Sequence, residues 1–219
     1  MWNFADTILD LIFPPRCPFC RKILKEYEHA ICRSCEKSLP WTERGAQAQH
    51  FRPLDICVSS LYYEDAVRES LLRFKFSGLY SYAAHYAPLL KRTLDEQAIV
   101  FDLITWVPVS TKRRKKRGYD QAELLSKELS RLYGKACVPL LLKSADNAAQ
   151  SSIHSPAERR KNVSGVYRPL SLDEIRGRQI LLVDDIVTTG ATLSECARIL
   201  KIAGAKSVSA VTVARSRKD

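Results

Sequence analysis

The chain has 219 residues, 46% of them hydrophobic, with a formal net charge of +11 and an isoelectric point of about 9.4. That is enough for one domain or two small ones with a real core, and no apolar run approaches the roughly 18 to 20 residues that span a bilayer. The charge surplus favours polyanionic partners, nucleic acid above all.

The opening "MWNFADTILDLIFPPRC" has no basic n-region and carries Asp6 and Asp10, which argues against a secretory leader. Phe4, Ile8, Leu11 and Ile12 follow helical spacing, so a short amphipathic helix stopped by Pro14-Pro15 is expected. Next come Cys17-x-x-Cys20, eleven residues, and Cys32-x-x-Cys35. Each pair can turn two thiolates to one point, and two pairs make a tetrahedral sulfur set suited to Zn²⁺. A closed four-thiolate shell leaves no place for water, so the metal is expected to be structural. His29 lies between the pairs and could replace a thiolate, but four cysteines are already present. Cys57, Cys137 and Cys196 stand singly in apolar surroundings, the usage of a reducing compartment, and a cytoplasmic protein is expected. Residues 1–50 read as a helix and zinc ribbon, 42–53 as a linker, and 51–219 as a second domain.

From residue 54 strands and helices alternate. Strands are predicted at 56–63, 136–142, 179–185 and 207–215, and 102–110 reads as a strand followed by a loop. Helices are predicted at 64–76, 80–96, 119–134, 155–162 and 191–204. Ser155, Pro156 and Glu158 form a capping-box start for the fourth of these helices. Pro139 argues that 136–142 is an edge or irregular strand. Alternation of this kind predicts an α/β fold, a parallel sheet with helices on both faces.

"ILLVDDIVTTGAT" (180–192) ends a buried strand on two adjacent carboxylates, Asp184 and Asp185. In open α/β sheets ligands bind beyond the carboxyl ends of the strands. The loop Val187, Thr188, Thr189, Gly190, Ala191, Thr192 then enters a helix, whose free N–H groups and dipole favour a phosphate. Carboxylates beside a phosphate cradle make sense if they accept bonds from sugar hydroxyls or reach a Mg²⁺. The stretch describes a pocket for a ribose 5-phosphate. It is not a P-loop, since no G-K-[ST] follows.

Leu181 to Thr192 resembles the signature of type I phosphoribosyltransferases. The resemblance implies that Asp184 and Asp185 hold the ribose hydroxyls of phosphoribosyl pyrophosphate (PRPP) and serve catalysis, and that Val187 to Thr192 hold the 5-phosphate. With the four-cysteine segment, "RFKFSG" (73–78), "VPVSTKRRKKRGYDQAELLS" (107–126) and "ERRKNVSG" (158–165), nearly the whole chain from Cys17 is similar to the ComF family of competence-associated proteins. That likeness implies an accessory factor of DNA uptake and natural transformation, with PRPP, single-stranded DNA and other DNA-uptake or DNA-processing proteins as partners. The alternative is an active Mg²⁺-dependent phosphoribosyltransferase on an unidentified acceptor. In such transferases Val109 and Ser110 fall in the pyrophosphate turn, Arg117 or Arg113 could neutralise pyrophosphate in the transition state, and Lys75 could reach it. The six basic residues Lys112, Arg113, Arg114, Lys115, Lys116 and Arg117 are expected to form a loop. They could instead, or also, track a single strand, with Tyr119 stacking on a base and Arg159 and Arg160 assisting. At position 188 this chain has Thr where 6-oxopurine transferases carry an aspartate, which argues against that acceptor class.

Overall fold

A computed structural model describes residues 14–42, 49, 51–144 and 165–217. The expected N-terminal helix and the helix at 155–162, with Arg159 and Arg160, lie outside the described residues.

The described residues open with the two cysteine knuckles. In the first, Cys17 N–H bonds to the Lys22 carbonyl and Arg21 N–H returns to Cys17, both at 2.9 Å. In the second, Cys32 caps a short helix, α1 (Arg33–Ser38), its sulfur accepting from Cys35 N–H. Strand β1 (Ile56–Tyr62) then leads through helices α2 (Asp65–Phe76) and α3 (Tyr82–Glu96) to β2 (Leu103–Trp106). Two more helices follow, α4 (Thr111–Arg117) and α5 (Gln121–Tyr133), then short strands β3 (Leu141–Lys143) and β4 (Tyr167–Pro169) and the single turn α6 (Leu172–Ile175). Strand β5 (Gln179–Val187), helix α7 (Ala191–Ile202) and strand β6 (Ser207–Arg215) close the fold.

The main sheet is parallel throughout, in the order β1-β6-β5-β2. β5 and β6 lie inside it, which explains their almost unbroken apolar runs. Residues alternate between two cores. Val58, Leu61, Ile104, Leu181, Val183, Val211 and Val213 face α2, α3 and α5. Cys57, Leu103, Ile180, Leu182, Val208 and Ala210 face α6, α7 and the β3–β4 pair. Helices on both faces are the expected arrangement.

Three local expectations need correction. The basic run is a helix rather than a loop: Ser110 caps α4 through Arg113 N–H, and Gly118 ends it at φ +82°, a conformation only glycine adopts readily. Its composition has no apolar periodicity, but four cations in the last turn suit the helix dipole. The segment 136–142 is split. Cys137 bridges Ile104 beside β2, and after Pro139 the chain leaves to pair antiparallel with β4. Tyr119 belongs to the core. It is 6% exposed, its hydroxyl donates to the Phe74 carbonyl, and its ring meets Tyr80 edge-on at 4.5 Å.

The ribbon is welded to the sheet domain. Cys17, Phe19, Leu24, Ile31, Cys32, Cys35 and Leu39 share one continuous core with α2 and α3. Ser70 Oγ and Arg73 Nη2 on α2 both donate to the Pro18 carbonyl, at 2.5 and 2.9 Å, and Arg73 also reaches Phe19 O. The described ends of the expected linker run antiparallel along the outer edge of β1. There Thr42 N–H bonds to Ser60 O at 3.1 Å, and Gln49 and Cys57 exchange backbone bonds. This covers an edge strand that would otherwise present unpaired peptide groups.

Candidate functional site

The carboxyl edge of the sheet gathers the predicted residues. β2 ends at Trp106, level with Val183 and one residue short of the acidic pair, and Val107 N–H bonds to Val183 O at 3.0 Å, while β5 runs on to Val187. The turn at Val109 and Ser110 therefore stands beside the acidic pair. Asp185 is buried and takes Lys75 Nζ at 2.9 Å. Asp184 Oδ1 accepts Asp185 N–H at 2.8 Å, which fixes its carboxylate against the backbone. Asp184 keeps some solvent access, yet the atoms packed around it desolvate the carboxyl. Burial, then the neighbouring Asp185, hold it well above the usual carboxylate range, with Lys75 pulling the other way.

Beyond the pair, Val187 is buried, Thr188 exposed and Thr189 half-buried, with Thr189 Oγ1 accepting Ala191 N–H at 3.4 Å. Gly190 begins α7 at φ +73°. A Cβ there would lie 2.3 Å from the Phe51 ring, so the glycine lets an aromatic side chain lie directly on the loop. Phe51 carries no sequence signal for this position, since only the fold brings residues 51 and 190 together. Thr192 follows in the first turn of the helix.

Asp120, absent from the sequence-predicted site, ties this edge together. It is 3% exposed and caps α5 through Ala122 and Glu123 N–H at 3.0 and 3.4 Å, while its other oxygen accepts Val109 N–H at 3.0 Å. The signal was present, an Asp just before the helical "QAELL". Burial pushes its carboxyl up to about 6, against the pull of those N–H groups. Arg117 donates to Gln121 Oε1 at 3.0 Å, and Gln121 Nε2 lies 3.5 Å from Lys75 O, so Arg117 is one side chain removed from Lys75.

The basic helix has two faces. Arg114 pairs with Glu123 at 2.9 Å, Arg117 lies over the Phe76 ring, and Arg113 is half-buried. Lys112, Lys115 and Lys116, at i, i+3 and i+4, form one exposed face. Tyr119 is not beside them as an open ring but beneath, in the core.

In the ribbon, the sulfurs of Cys17, Cys20, Cys32 and Cys35 all lie within 4.8 Å of one another. A tetrahedral site with Zn–S near ~2.3 Å needs S···S separations of about 3.8 Å; Cys20 and Cys32 Sγ stand at 3.5 Å, so the set fits the ion after small adjustments. His29 is exposed and outside this cluster.

The chain matches the family described as "Phosphoribosyl transferase domain" over residues 115–219 and "Double zinc ribbon domain" over 8–46. It is 31% identical to "Competence protein ComFC" of Bacillus subtilis (strain 168) over 206 residues, 91% of this chain and 78% of that protein. The chain belongs to the ComF family. It is also 28% identical to "Competence protein F" of Haemophilus influenzae, across 92% of this chain and 97% of that one. "DNA utilization protein YhgH" of Escherichia coli O157:H7 is 31% identical across 88% and 80%. The ribbon match spans all four cysteines, and they make one four-thiolate set, the donors of a structural zinc.

Two outcomes follow for this ComF protein. Because ribbon and sheet share a core, chelating the metal or replacing Cys32 with Ser lowers the thermal midpoint of the whole chain, and probes in both parts lose structure together. Near-UV circular dichroism with metal analysis checks this; a sheet domain of unchanged midpoint would refute it. Asp120 holds its proton more tightly in the folded chain, so its contribution to stability is fully present below the ordinary value of 3.8 and is lost as pH rises through about 6. Relative to Asp120→Asn, the wild type therefore loses roughly 1 to 3 kcal/mol across that window, read from urea unfolding at several pH values.

Proposed function

We propose that this ComF-family protein binds PRPP, or its ribose 5-phosphate part, at the carboxyl end of β5 and single-stranded DNA on the lysine face of α4, as an accessory factor of DNA uptake. The observation that carries the reading is the Lys75–Asp185–Asp184 group at the sheet edge, continuous with a glycine-opened loop into a twelve-residue helix. Acceptors for sugar hydroxyls and donors for a phosphate then lie side by side, as a ribose 5-phosphate requires. The relatives named for competence and DNA utilization supply the context of DNA uptake. Free thiols at Cys57, Cys137 and Cys196 suit a cytoplasmic setting, and among the described residues no helix is long and apolar enough to cross a membrane.

In this reading Asp184 and Asp185 accept the ribose hydroxyls. Thr188, Thr189 and the backbone from Gly190 to Thr192 take the phosphate. Lys75, and Arg117 behind it, face the pyrophosphate side, with Val109 and Ser110 forming the turn there. Lys75 is engaged with Asp185, and burial disfavours charge on Asp184, so a Mg²⁺ arriving with PRPP would offset that cost and would be held by Asp184 and Asp185. The exposed Thr188, where 6-oxopurine transferases carry an acid, favours binding over turnover. Pyrophosphate release assayed against a panel of bases separates this reading from an active transferase.

Each lost charge-assisted bond is worth about 1.5 to 3 kcal/mol, so Asp185→Asn weakens PRPP roughly 10- to 100-fold without unfolding the chain. Calorimetry showing equal affinity in wild type and in the Asp184→Asn, Asp185→Asn double variant would end the idea. For DNA, three lysines meeting phosphates give a slope of log affinity against log salt of about −2, at about 0.7 per contact on single strands. Replacing Lys112, Lys115 and Lys116 with Ala flattens that slope by about 2 and leaves PRPP affinity as it was. A slope indifferent to the triple replacement would make α4 merely a solvated helix.

A further inference from the structure

Helix α2 buries Val67, Leu71 and Phe74 on one side. Phe76 comes two residues after Phe74, about 200° further round the helix, and is 67% exposed. A lone exposed apolar side chain on a protein surface means little. This one has a cation and a second exposed ring as companions. The Arg117 guanidinium lies 5.0 Å from its centroid and covers one face of the ring. Arg117 is the last residue of α4, directly after Lys115 and Lys116. Across the Gly78 turn stands Tyr80, 52% exposed and braced edge-on by buried Tyr119. Both glycines of this corner lie close to the Tyr80 hydroxyl: a Cβ on Gly78 or Gly118 would stand 4.0 or 3.7 Å from it. The corner is rigid, because Tyr119 OH holds the Phe74 carbonyl and Gln121 reaches the Lys75 carbonyl.

We propose that Phe76, assisted by Tyr80, is the platform on which bases of single-stranded DNA stack while the lysine face of α4 holds the phosphates. Open aromatic faces interleaved with cations are what a flexible strand without sequence preference needs. A duplex keeps its bases stacked inside and offers nothing to such a ring, so charge complementarity together with the open ring selects the single strand. This inference rests on the DNA part of the proposed function and replaces Tyr119, whose ring is shut in the core, as the stacking group. Phe76 follows Lys75, the partner of Asp185, so the platform borders the proposed PRPP pocket.

The test measures affinity for oligo-dT and for an abasic strand of equal length, at several salt concentrations. Loss of one stacked base is worth about 1 to 3 kcal/mol, so Phe76→Ala weakens oligo-dT roughly 5- to 150-fold with the salt slope unchanged, and leaves abasic-strand affinity alone. Phe76→Trp, which enlarges the ring, retains or raises oligo-dT affinity. If wild type binds oligo-dT with a salt slope and Phe76→Ala binds it equally well, the platform is refuted and the lysine-face reading survives. If wild type binds neither strand, both fall. Equal losses for oligo-dT and the abasic strand would refute stacking, and a loss confined to PRPP would place the ring in the sugar-phosphate pocket instead.

Discussion

The ion pair between Lys75 and Asp185 is the constraint on which the rest of the molecule turns. Two neighbouring carboxylates at the end of a buried strand repel each other and resist desolvation. Lys75 meets that charge from the last turn of α2, and everything that fixes this turn therefore fixes the site. Tyr119 and Gln121 grip the Phe74 and Lys75 carbonyls from the start of α5. In that same last turn Arg73 grips the first cysteine knuckle. The same short helix thus joins the metal ribbon, the acidic pair and the basic helix. A ribbon that folds around a structural ion sits in the core of the domain that carries the pocket, so its contribution is rigidity at α2 as well as its own fold.

Charge is sorted by depth rather than spread evenly. The net +11 of the chain coexists with a cluster of buried or half-buried acids, Asp120, Asp184 and Asp185, near one edge of the sheet. The cations above them divide by type. Arg114 and Arg117, with planar groups that pair and stack, turn toward Glu123, Gln121 and Phe76. The lysines, strongly hydrated and flexible, remain outside. An anion approaching this edge meets lysines first and carboxylates last. On the proposed reading sugar hydroxyls would reach those carboxylates, and a bare phosphate would be repelled by them.

Much of this was legible in the sequence, where local pattern and fold agree. The strand that carries Asp184-Asp185, though it runs two residues beyond them to Val187, the glycine at 190 and the paired C-x-x-C motifs each carry their own physical reason in the order of residues. What escaped depended on direction or distance. "TKRRKKR" has no apolar stripe, so its helix shows only in the Ser110 and Gly118 caps. Tyr119 follows six cations yet points inward, because the left-handed turn at Gly118 reverses the chain over α2. Residues 136–142 read as one strand, but Pro139 removes a donor and the chain changes sheets there. Phe51 on Gly190 and Ser70 on Pro18 join residues 139 and 52 positions apart in sequence, which no local pattern encodes.

The placement of Lys75 and Phe76 on consecutive residues has a thermodynamic consequence. Lys75 in this structure already has a carboxylate partner, so on the proposed reading a pyrophosphate would compete with Asp185 for one ammonium, and the last turn of α2 would have to satisfy whichever wins. A strand stacked on Phe76, as proposed, would bear on that same turn and bring its own phosphates to Arg117, the cation that stands behind Lys75. The two proposed ligands would then meet through a shared, finite set of cations, and the like charge of their phosphates would make the coupling unfavourable unless a Mg²⁺ arrives with one of them. By linkage the factor is the same in both directions. An affinity for either ligand has meaning only at a stated concentration of the other and of salt, since salt screens the phosphate repulsion and releases the strand, whereas the largely buried Lys75–Asp185 pair is screened far less.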